Sequence, residues 1–224
     1  MGVKFSYTLF AKIYDMCEVL FFCRKKTSPR HALLDYISDE HNKILDICTG
    51  TATNGILIAE KKLKSNVVGI DISKDMISIA NRKIKKKQLN NIQINLMDAT
   101  NLEYDDGVFD IVIISLVLHE TGKAVSRKIL NEAKRVLKPG GKILVVEWEQ
   151  PKSFFKKIKF LIIKLLEPKS FKDFLKLNYY QFFKDNGLEI NNIRHCDYSC
   201  VFELLASRDI KNKSYNNKIL KDVL

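Results

Sequence analysis

The sequence predicts an α/β fold, in which a mostly parallel sheet carries helices on both of its faces. Apolar runs such as VVGI at 67–70, DIVIISLVL at 110–118 and KILVVEW at 142–148 have the composition of strands buried on both sides. They alternate with segments of helical spacing, which is the pattern of β-α-β units. A length of 224 residues suits one domain, and a hydrophobic share of 46% is enough for a two-sided core.

The elements are predicted in the following order along the chain. Helices are expected at 4–23, with an apolar stripe that includes Phe5, Leu9 and Ile13, and at 29–38, where Pro29 follows Ser28. Strands are expected at 43–48, 66–70, 92–97, 109–115 and 141–148, separated by helices at 53–63, 74–87 and 123–137. The last elements are a basic amphipathic segment at 152–166, a helix at 170–186, and strands at 188–195 and 199–206.

We expect a helical lid at 1–40, a core at 41–206 that contains a basic amphipathic insert at 152–180, and a polar tail at 207–224. Lys12, Asp15 and Glu18 interrupt the apolar N-terminal stretch, which predicts neither a membrane span nor a signal peptide. Five cysteines without a CxxC pair argue against a disulfide framework. A cytoplasmic protein without a metal site is therefore predicted.

The net charge of +12 is concentrated towards the C-terminus. Residues 151–224 hold 15 of the 38 basic side chains but only 8 of the 26 acidic ones. An excess of this kind can attract an anionic partner such as RNA or a lipid surface. It can equally reflect solubility in a lysine-rich chain, and the sequence leaves both interpretations open.

The loops that follow the predicted strands are where a ligand is expected, because open α/β sheets bind at the carboxyl ends of their strands. The first strand ends in LDICTGTATNG, with Asp46 at its end. Small residues there let backbone N–H groups and a helix N-terminus approach a polar ligand. The three slots of the glycine fingerprint hold Cys48, Gly50 and Ala52, so only one of them is glycine.

Two further carboxylates follow the next predicted strands. Asp71 ends the second strand, where an acidic side chain can accept hydrogen bonds from both hydroxyls of a ribose. The other interpretation is that Asp71 or Ser73 caps the following helix. Asp98, with Ala99 after it, ends the third strand and can pair with the exocyclic amine of an adenine, or simply cap its loop. Ile72 and Met76 would sandwich the ring.

Five ordered motifs, LDICTGT, GIDIS, MDAT, FDIVIISLVLHE and RVLKPGGKILVVE, resemble those of class I S-adenosylmethionine-dependent methyltransferases. The nearest branch resembles the ubiquinone/menaquinone-biosynthesis methyltransferases and their small-molecule relatives. The resemblance covers about residues 43–148, and the IYD at Ile13–Asp15 is also typical of that group. It implies a Rossmann-like seven-stranded sheet whose last strand runs antiparallel, with an N-terminal helical lid.

The resemblance also implies roles for individual residues around S-adenosylmethionine and its product S-adenosylhomocysteine. By that analogy Asp71 takes the ribose, Ser115 lines the floor and Tyr14 closes over the cofactor from the lid. The implied methionine contacts are Asp46, Cys48 and Gly50, and the implied adenine contacts are Ile72, Met76, Asp98 and Ala99.

His119 is the candidate for a general base, should the acceptor have to lose a proton. It lies four residues past Ser115 with Glu120 beside it, and the ordinary pKa of a histidine suits a base near neutral pH. The other interpretation is that His119 braces the loop or shapes the pocket. His31 and Tyr14 are weaker candidates.

The acceptor is expected to be a small molecule, and the sequence leaves open whether it is apolar and lipid-like or polar. In 152–166 the apolar side chains Phe154, Phe155, Ile158, Leu161, Ile162 and Leu165 share one face and lysines lie elsewhere, which suits either a membrane surface or a lid packed on the core. An RNA methyltransferase is an alternative, but no aromatic-basic platform supports nucleic-acid binding. An NAD-dependent dehydrogenase would need the full glycine set. A non-catalytic S-adenosylmethionine-binding protein is the last alternative.

Overall fold

The computed structural model describes residues 27–166 and 169–207. Its strands are β1 (Lys43–Ile47), β2 (Asn66–Asp71), β3 (Ile92–Leu96), β4 (Phe109–Ser115), β5 (Leu137–Trp148), β6 (Leu188–His195) and β7 (Ser199–Ala206). Its helices are α1 (Pro29–Asp35), α2 (Thr53–Lys61), α3 (Lys74–Lys86), α4 (Leu118–Val136), α5 (Phe154–Leu166), α6 (Lys169–Phe174) and α7 (Tyr179–Asp185).

The seven described strands form one sheet in the order β3-β2-β1-β4-β5-β7-β6. Strands β1 to β5 pair in parallel, whereas β7 runs antiparallel to both β5 and β6. The predicted fold class is confirmed, including the antiparallel last strand. The strand order reverses between β1 and β4, so the carboxyl ends of β1, β2 and β4 surround the expected binding crevice.

The continuous apolar runs are explained by two separate cores, one on each face of the sheet. Along β4, Ile111 and Ile113 enter the core beneath α1, α2 and α3, while Val112 and Ile114 enter the core beneath α4 and α7. Successive residues of a strand point to opposite faces, so a strand covered on both sides must be apolar at every position.

Several element boundaries differ from the predicted ones. Helix α4 begins at Leu118 instead of 123, and Gly122, with φ 69° and ψ 161°, interrupts it. The predicted helix at 170–186 is two helices, and the side chain of Asn178 caps the second by accepting from the Gln181 amide at 3.1 Å. Strand β5 begins at Leu137 instead of 141, with irregular pairing to β4.

The second predicted lid helix is present as α1, which packs against α2 and β7. The first predicted helix, at 4–23, lies outside the described residues, as does Tyr14. Of the tail at 207–224, only residue 207 is described. No helix in the described part of the chain is long and apolar enough to cross a membrane.

Candidate active site

The loop between β1 and α2 adopts an alternating left-handed conformation. Cys48, Gly50 and Ala52 have φ values of 54°, 57° and 60°, so all three slots of the glycine fingerprint have the backbone that glycine favours. Two of these slots hold residues other than glycine, for which a left-handed backbone is unfavourable. The structure shows that both side chains accept it, at a cost of about 1–2 kcal/mol each.

Strand β2 makes room for this loop through Gly69, which sequence reasoning missed. The Thr49 amide donates to the carbonyl of Ile70 at 2.9 Å, so the loop lies directly against β2. A Cβ atom at Gly69 would meet Thr49 Cγ2 at 2.9 Å and Ile94 Cδ1 at 2.6 Å. A glycine inside a buried strand was the available signal for such a close approach.

The carboxylate of Asp71 is fixed by two backbone N–H groups. Its Oδ2 accepts from Gly50 at 2.9 Å and its Oδ1 accepts from Ser73 at 2.8 Å. Ser73, not Asp71, is the N-cap of α3, and its hydroxyl accepts from the Met76 amide at 3.4 Å. Each carboxylate oxygen can accept a second hydrogen bond, so Asp71 is both a structural link and an available acceptor.

Asp46 is a buried carboxylate at the end of β1, only 1% exposed. Its Oδ2 accepts from the Thr49 hydroxyl at 2.5 Å, and no described residue donates to its Oδ1. Burial raises the pKa of this carboxyl to about 6, the hydrogen bond from Thr49 opposes the rise, and the negative charge of Asp71 adds to it. A cationic or hydrogen-bond-donating ligand would complete the set of partners of Asp46.

A cleft of about 710 Å³ lies at the carboxyl ends of β1, β2 and β4. One wall is the turn before α4, with Leu116 and Val117, and the start of α4, with Glu120 and Thr121. The structure brings seven of the predicted cofactor residues together in its lining: Asp46, Cys48, Gly50, Asp71, Ile72, Met76 and Ser115. Their common location follows from the sheet, because each loop leaves the same edge.

Asp98 and Ala99 do not line this cleft. The Met97 amide donates to the Asp71 carbonyl at 3.0 Å, which places the following residues beside Asp71 at the same edge. There Asp98 Oδ1 accepts from the Thr100 amide and hydroxyl at 2.8 and 2.9 Å, and these bonds lower the pKa of its carboxyl. Asp98 is therefore observed as a loop cap, and Ala99 is buried in a core.

Cys48 is part of the cleft without being a reactive thiol. Burial, followed by the charges of Asp71 and Asp46, raises its pKa to about 12. Since a thiolate is the nucleophilic form, Cys48 stays protonated and unreactive at neutral pH.

His119 does not reach the cleft. It is 1% exposed, and its Nδ1 lies 2.7 Å from Oε2 of the fully buried Glu147 in β5. It lines a separate cavity of about 210 Å³ together with Phe174. The rings of Phe171 and Phe174 lie edge-on to the His119 ring. This placement weighs against the base role predicted for His119, because a base must touch the proton it removes.

Two carboxylates beside His119 were not predicted as site residues. Glu147 Oε1 also accepts from the Leu118 amide at 2.8 Å, so Glu147 caps the start of α4. A charged residue inside the apolar run KILVVEW was its signal. Glu120, the next residue after His119, lines the cleft, and its Oε1 lies 3.7 Å from His119 Nε2. The turn before α4, where Leu116 has φ 55°, thus presents Glu120 to the cleft.

The fold and the cleft define a class I S-adenosylmethionine-dependent methyltransferase. A family model described as a methyltransferase domain matches residues 38–187. The chain belongs to this methyltransferase domain family.

Similar proteins are found among characterised sequences and solved structures. The chain is 30% identical to the demethylmenaquinone methyltransferase of Bacillus velezensis over 94% of its own length and 92% of the relative. The demethylmenaquinone methyltransferase of Staphylococcus epidermidis is 35% identical over 72% of this chain and 68% of the relative. The fold is similar to the crystal structure of a SAM-dependent methyltransferase from Aquifex aeolicus, with a TM-score of 0.69. The match covers 90% of this chain and 98% of the Aquifex chain, at 19% sequence identity, and therefore supports the fold alone.

Proposed function

We propose that this enzyme binds S-adenosylmethionine in the 710 Å³ cleft and transfers its methyl group to a small, apolar acceptor. The observation that carries the proposal is the arrangement of Asp46, Gly50 and Asp71 around one crevice at the strand ends. The volume lies in the range of small-molecule sites, which is about 300–1,000 Å³.

The residues of the cleft fit the parts of the donor. Asp71, already held by two N–H groups, would accept hydrogen bonds from the ribose hydroxyls. Ile72 is 73% exposed although it is apolar, and a flat adenine ring lying on it would remove that surface from water. Asp46 lines the cleft, and its buried Oδ1, to which no described residue donates, would accept from the ammonium of the methionine part. Asp98 and Ala99 would contribute only from the rim, and Tyr14 remains a prediction.

The bound donor supplies an activated methyl group, so the protein's task is to orient the acceptor and to exclude water. Ser115, Leu116 and Val117 form the wall opposite Asp71 and would lie beside the acceptor. Where the acceptor must lose a proton, Glu120 is the carboxylate on that wall. His119, held between Glu147 and Glu120, would then orient Glu120 without touching the acceptor.

Two observations support an apolar acceptor. The relatives are named demethylmenaquinone methyltransferases, and the cleft wall carries the apolar side chains of Leu116 and Val117. The basic surface is the observation that favours RNA instead, as the net charge is +12. The wall of Leu116, Val117, Glu120 and Thr121 has no basic side chain, and Lys74 is the one basic residue among the described residues that line the cleft. This chemistry favours the quinone over a polyanion.

The test is methyl transfer from donor with a radioactive methyl group to two acceptors, demethylmenaquinone and total cellular RNA. We expect label in the organic extract of the quinone reaction and none in RNA. A Glu120→Gln enzyme should transfer at a rate at least about tenfold lower, with donor binding unchanged. Label in RNA that nuclease releases, with none in the quinone, would refute the acceptor class.

A further inference from the structure

Helix α5 exposes the apolar face that the sequence predicted. Among the α5 residues whose side chains are described, Phe160 and Ile163 are buried, with 0% and 4% exposure. Six large apolar side chains face outwards at 48–85% exposure: Phe154, Phe155, Ile158, Leu161, Ile162 and Leu165. Scattered exposed apolar residues are normal, but a contiguous set of this size indicates a contact surface. We call these six residues the outer face of α5.

The orientation of α5 is fixed by its inner side. The Phe160 ring stacks on Tyr198 at 6.4 Å and lies 6.2 Å from the ring of Trp148. Lys156 Nζ is paired with Asp197 at 2.7 Å. Turning the outer face inwards would expose Phe160 and break this ion pair, so the apolar surface is a fixed feature of the described fold.

Lysines border the outer face on both sides. At 100° per residue, the six apolar residues occupy an arc of about 120°, with Lys159 beyond one edge and Lys157 and Lys164 beyond the other. Lys157 and Lys159 are exposed. An apolar arc with lysines beyond both of its edges is the arrangement of a helix that lies in a membrane interface.

We propose that the outer face of α5 docks on the surface of a membrane that contains anionic lipids. The apolar side chains enter the boundary between headgroups and acyl chains, and the exposed Lys157 and Lys159 contact the lipid phosphates. The contact requires no donor and no methyl transfer, so it stands independently of the proposed function. It would also bring the enzyme to a lipid-soluble acceptor.

Charge favours lipid over two other occupants of this face. A second copy of the chain, packed through the same face, would place the lysines that border the two outer faces close together, and their like charges would repel. The 26 residues before the described chain carry five basic and two acidic side chains, so they too have the same sign as α5. Anionic lipid headgroups are complementary to the lysines, as they are to the net charge of +12.

The experiment measures binding of the full chain, without donor, to vesicles of phosphatidylcholine alone or mixed with phosphatidylglycerol. We expect the full chain to bind the anionic vesicles. The Phe155→Ser/Ile158→Ser variant should bind them at least about tenfold more weakly than the wild type, because it lacks two apolar contacts. Lys157→Gln/Lys159→Gln should weaken binding by about fivefold per lysine. The control is Leu63→Ser/Tyr180→Ser, which removes two equally exposed side chains elsewhere and should leave binding unchanged.

Circular dichroism verifies that each variant is folded, which is expected because all the replaced side chains are exposed. Three outcomes would overturn the proposal: failure of the full chain to bind anionic vesicles at low salt, equal binding by the outer-face variant and the control, or a dimer in solution that Phe155→Ser/Ile158→Ser abolishes. The last outcome would assign the outer face to a second copy.

Discussion

At the scale of single residues, the cleft depends on backbone conformations that most side chains avoid. Cys48 and Ala52 occupy the left-handed region beside Gly50, and they do so where the loop must pass between Asp46 and Asp71. Strain of this kind persists when the surrounding packing determines it, and it collects at functional sites. The strained loop therefore lowers the stability of the fold, and in return it directs backbone N–H groups such as that of Gly50 towards Asp71 in the cleft.

Gly50→Ala tests whether this loop meets the donor. A Cβ at Gly50 would meet no atom within 4 Å, so it would project into open space, and its φ of +57° adds strain. We expect a loss of about 1 kcal/mol in the free energy of unfolding, with donor affinity reduced at least about tenfold by the methyl group.

The matched control is Gly140→Ala, where φ is +76° and nothing lies within 4 Å either. It should cost the same stability and leave donor affinity unchanged, because Gly140 lies in the turn before the buried part of β5. Urea unfolding and calorimetric titration with S-adenosylhomocysteine measure the two quantities. Equal donor affinity for both variants would separate the loop from the binding site.

Asp46 predicts a dependence of stability on pH. Its pKa is raised from 3.8 to about 6 in the folded state, so the folded protein holds this proton more tightly than the unfolded chain. Its contribution to stability therefore falls as pH rises from about 4 to about 6, by roughly 3 kcal/mol in total.

Asp46→Asn removes this titration. We expect the variant to be more stable than the wild type at neutral pH, to lack the decline between about pH 4 and 6, and to bind the donor less tightly. Urea unfolding at several pH values checks the slope. Parallel pH profiles for the two proteins would refute the assignment of the raised pKa to Asp46.

At the scale of elements, the junction between β4 and α4 decides which side chain enters the cleft. Leu116 turns the chain with φ 55°, Glu147 of the neighbouring strand accepts from the first amide of α4, and His119 is drawn beneath the helix towards Glu147. The sequence presents His119 and Glu120 side by side and cannot say which of them turns inwards. The answer depends on a hydrogen bond between residues 28 positions apart.

His119→Ala and Glu120→Gln separate a structural histidine from a carboxylate in the cleft. His119→Ala leaves the buried Glu147 without this partner and opens a cavity, so it should cost about 3 kcal/mol of stability. Glu120→Gln should cost less than about 0.5 kcal/mol, because Glu120 is partly exposed.

Thermal unfolding and initial rates of methyl transfer, measured on both variants, give the comparison. A fully stable His119→Ala enzyme with turnover abolished and donor affinity intact would restore His119 as the base. We expect the reverse, with the larger loss of stability in His119→Ala and the larger specific loss of turnover in Glu120→Gln.

Elements with a periodic signal were predicted well from the sequence, and their ends were predicted less well. All the described strands except β5 lie within one residue of their predicted limits, because apolar runs and alternating helices mark them. The start of α4 and the division of 170–186 depend on capping contacts of Glu147 and Asn178, which are tertiary or local details. The role of Asp98 as a loop cap was similarly open until Thr100 was located.

At the scale of the whole molecule, the cleft and the outer face of α5 are features of one fold with different origins. The cleft follows from the strand order, since the reversal between β1 and β4 opens a crevice wherever the sequence places small residues and carboxylates. The orientation of α5 could not be predicted in this way. Its apolar stripe suits either burial or exposure, and the packing of Phe160 on Tyr198 decides the matter.

The measurement that tests the central claim most directly is calorimetric titration of the full chain and of Asp71→Ala with S-adenosylhomocysteine. If the cleft holds the donor through the ribose, the wild type binds one equivalent and Asp71→Ala binds at least about thirtyfold more weakly, the loss expected from hydrogen bonds to a charged acceptor. Thermal unfolding confirms that the variant is folded. Equal affinity for the two proteins, or no uptake by the wild type, would contradict the account.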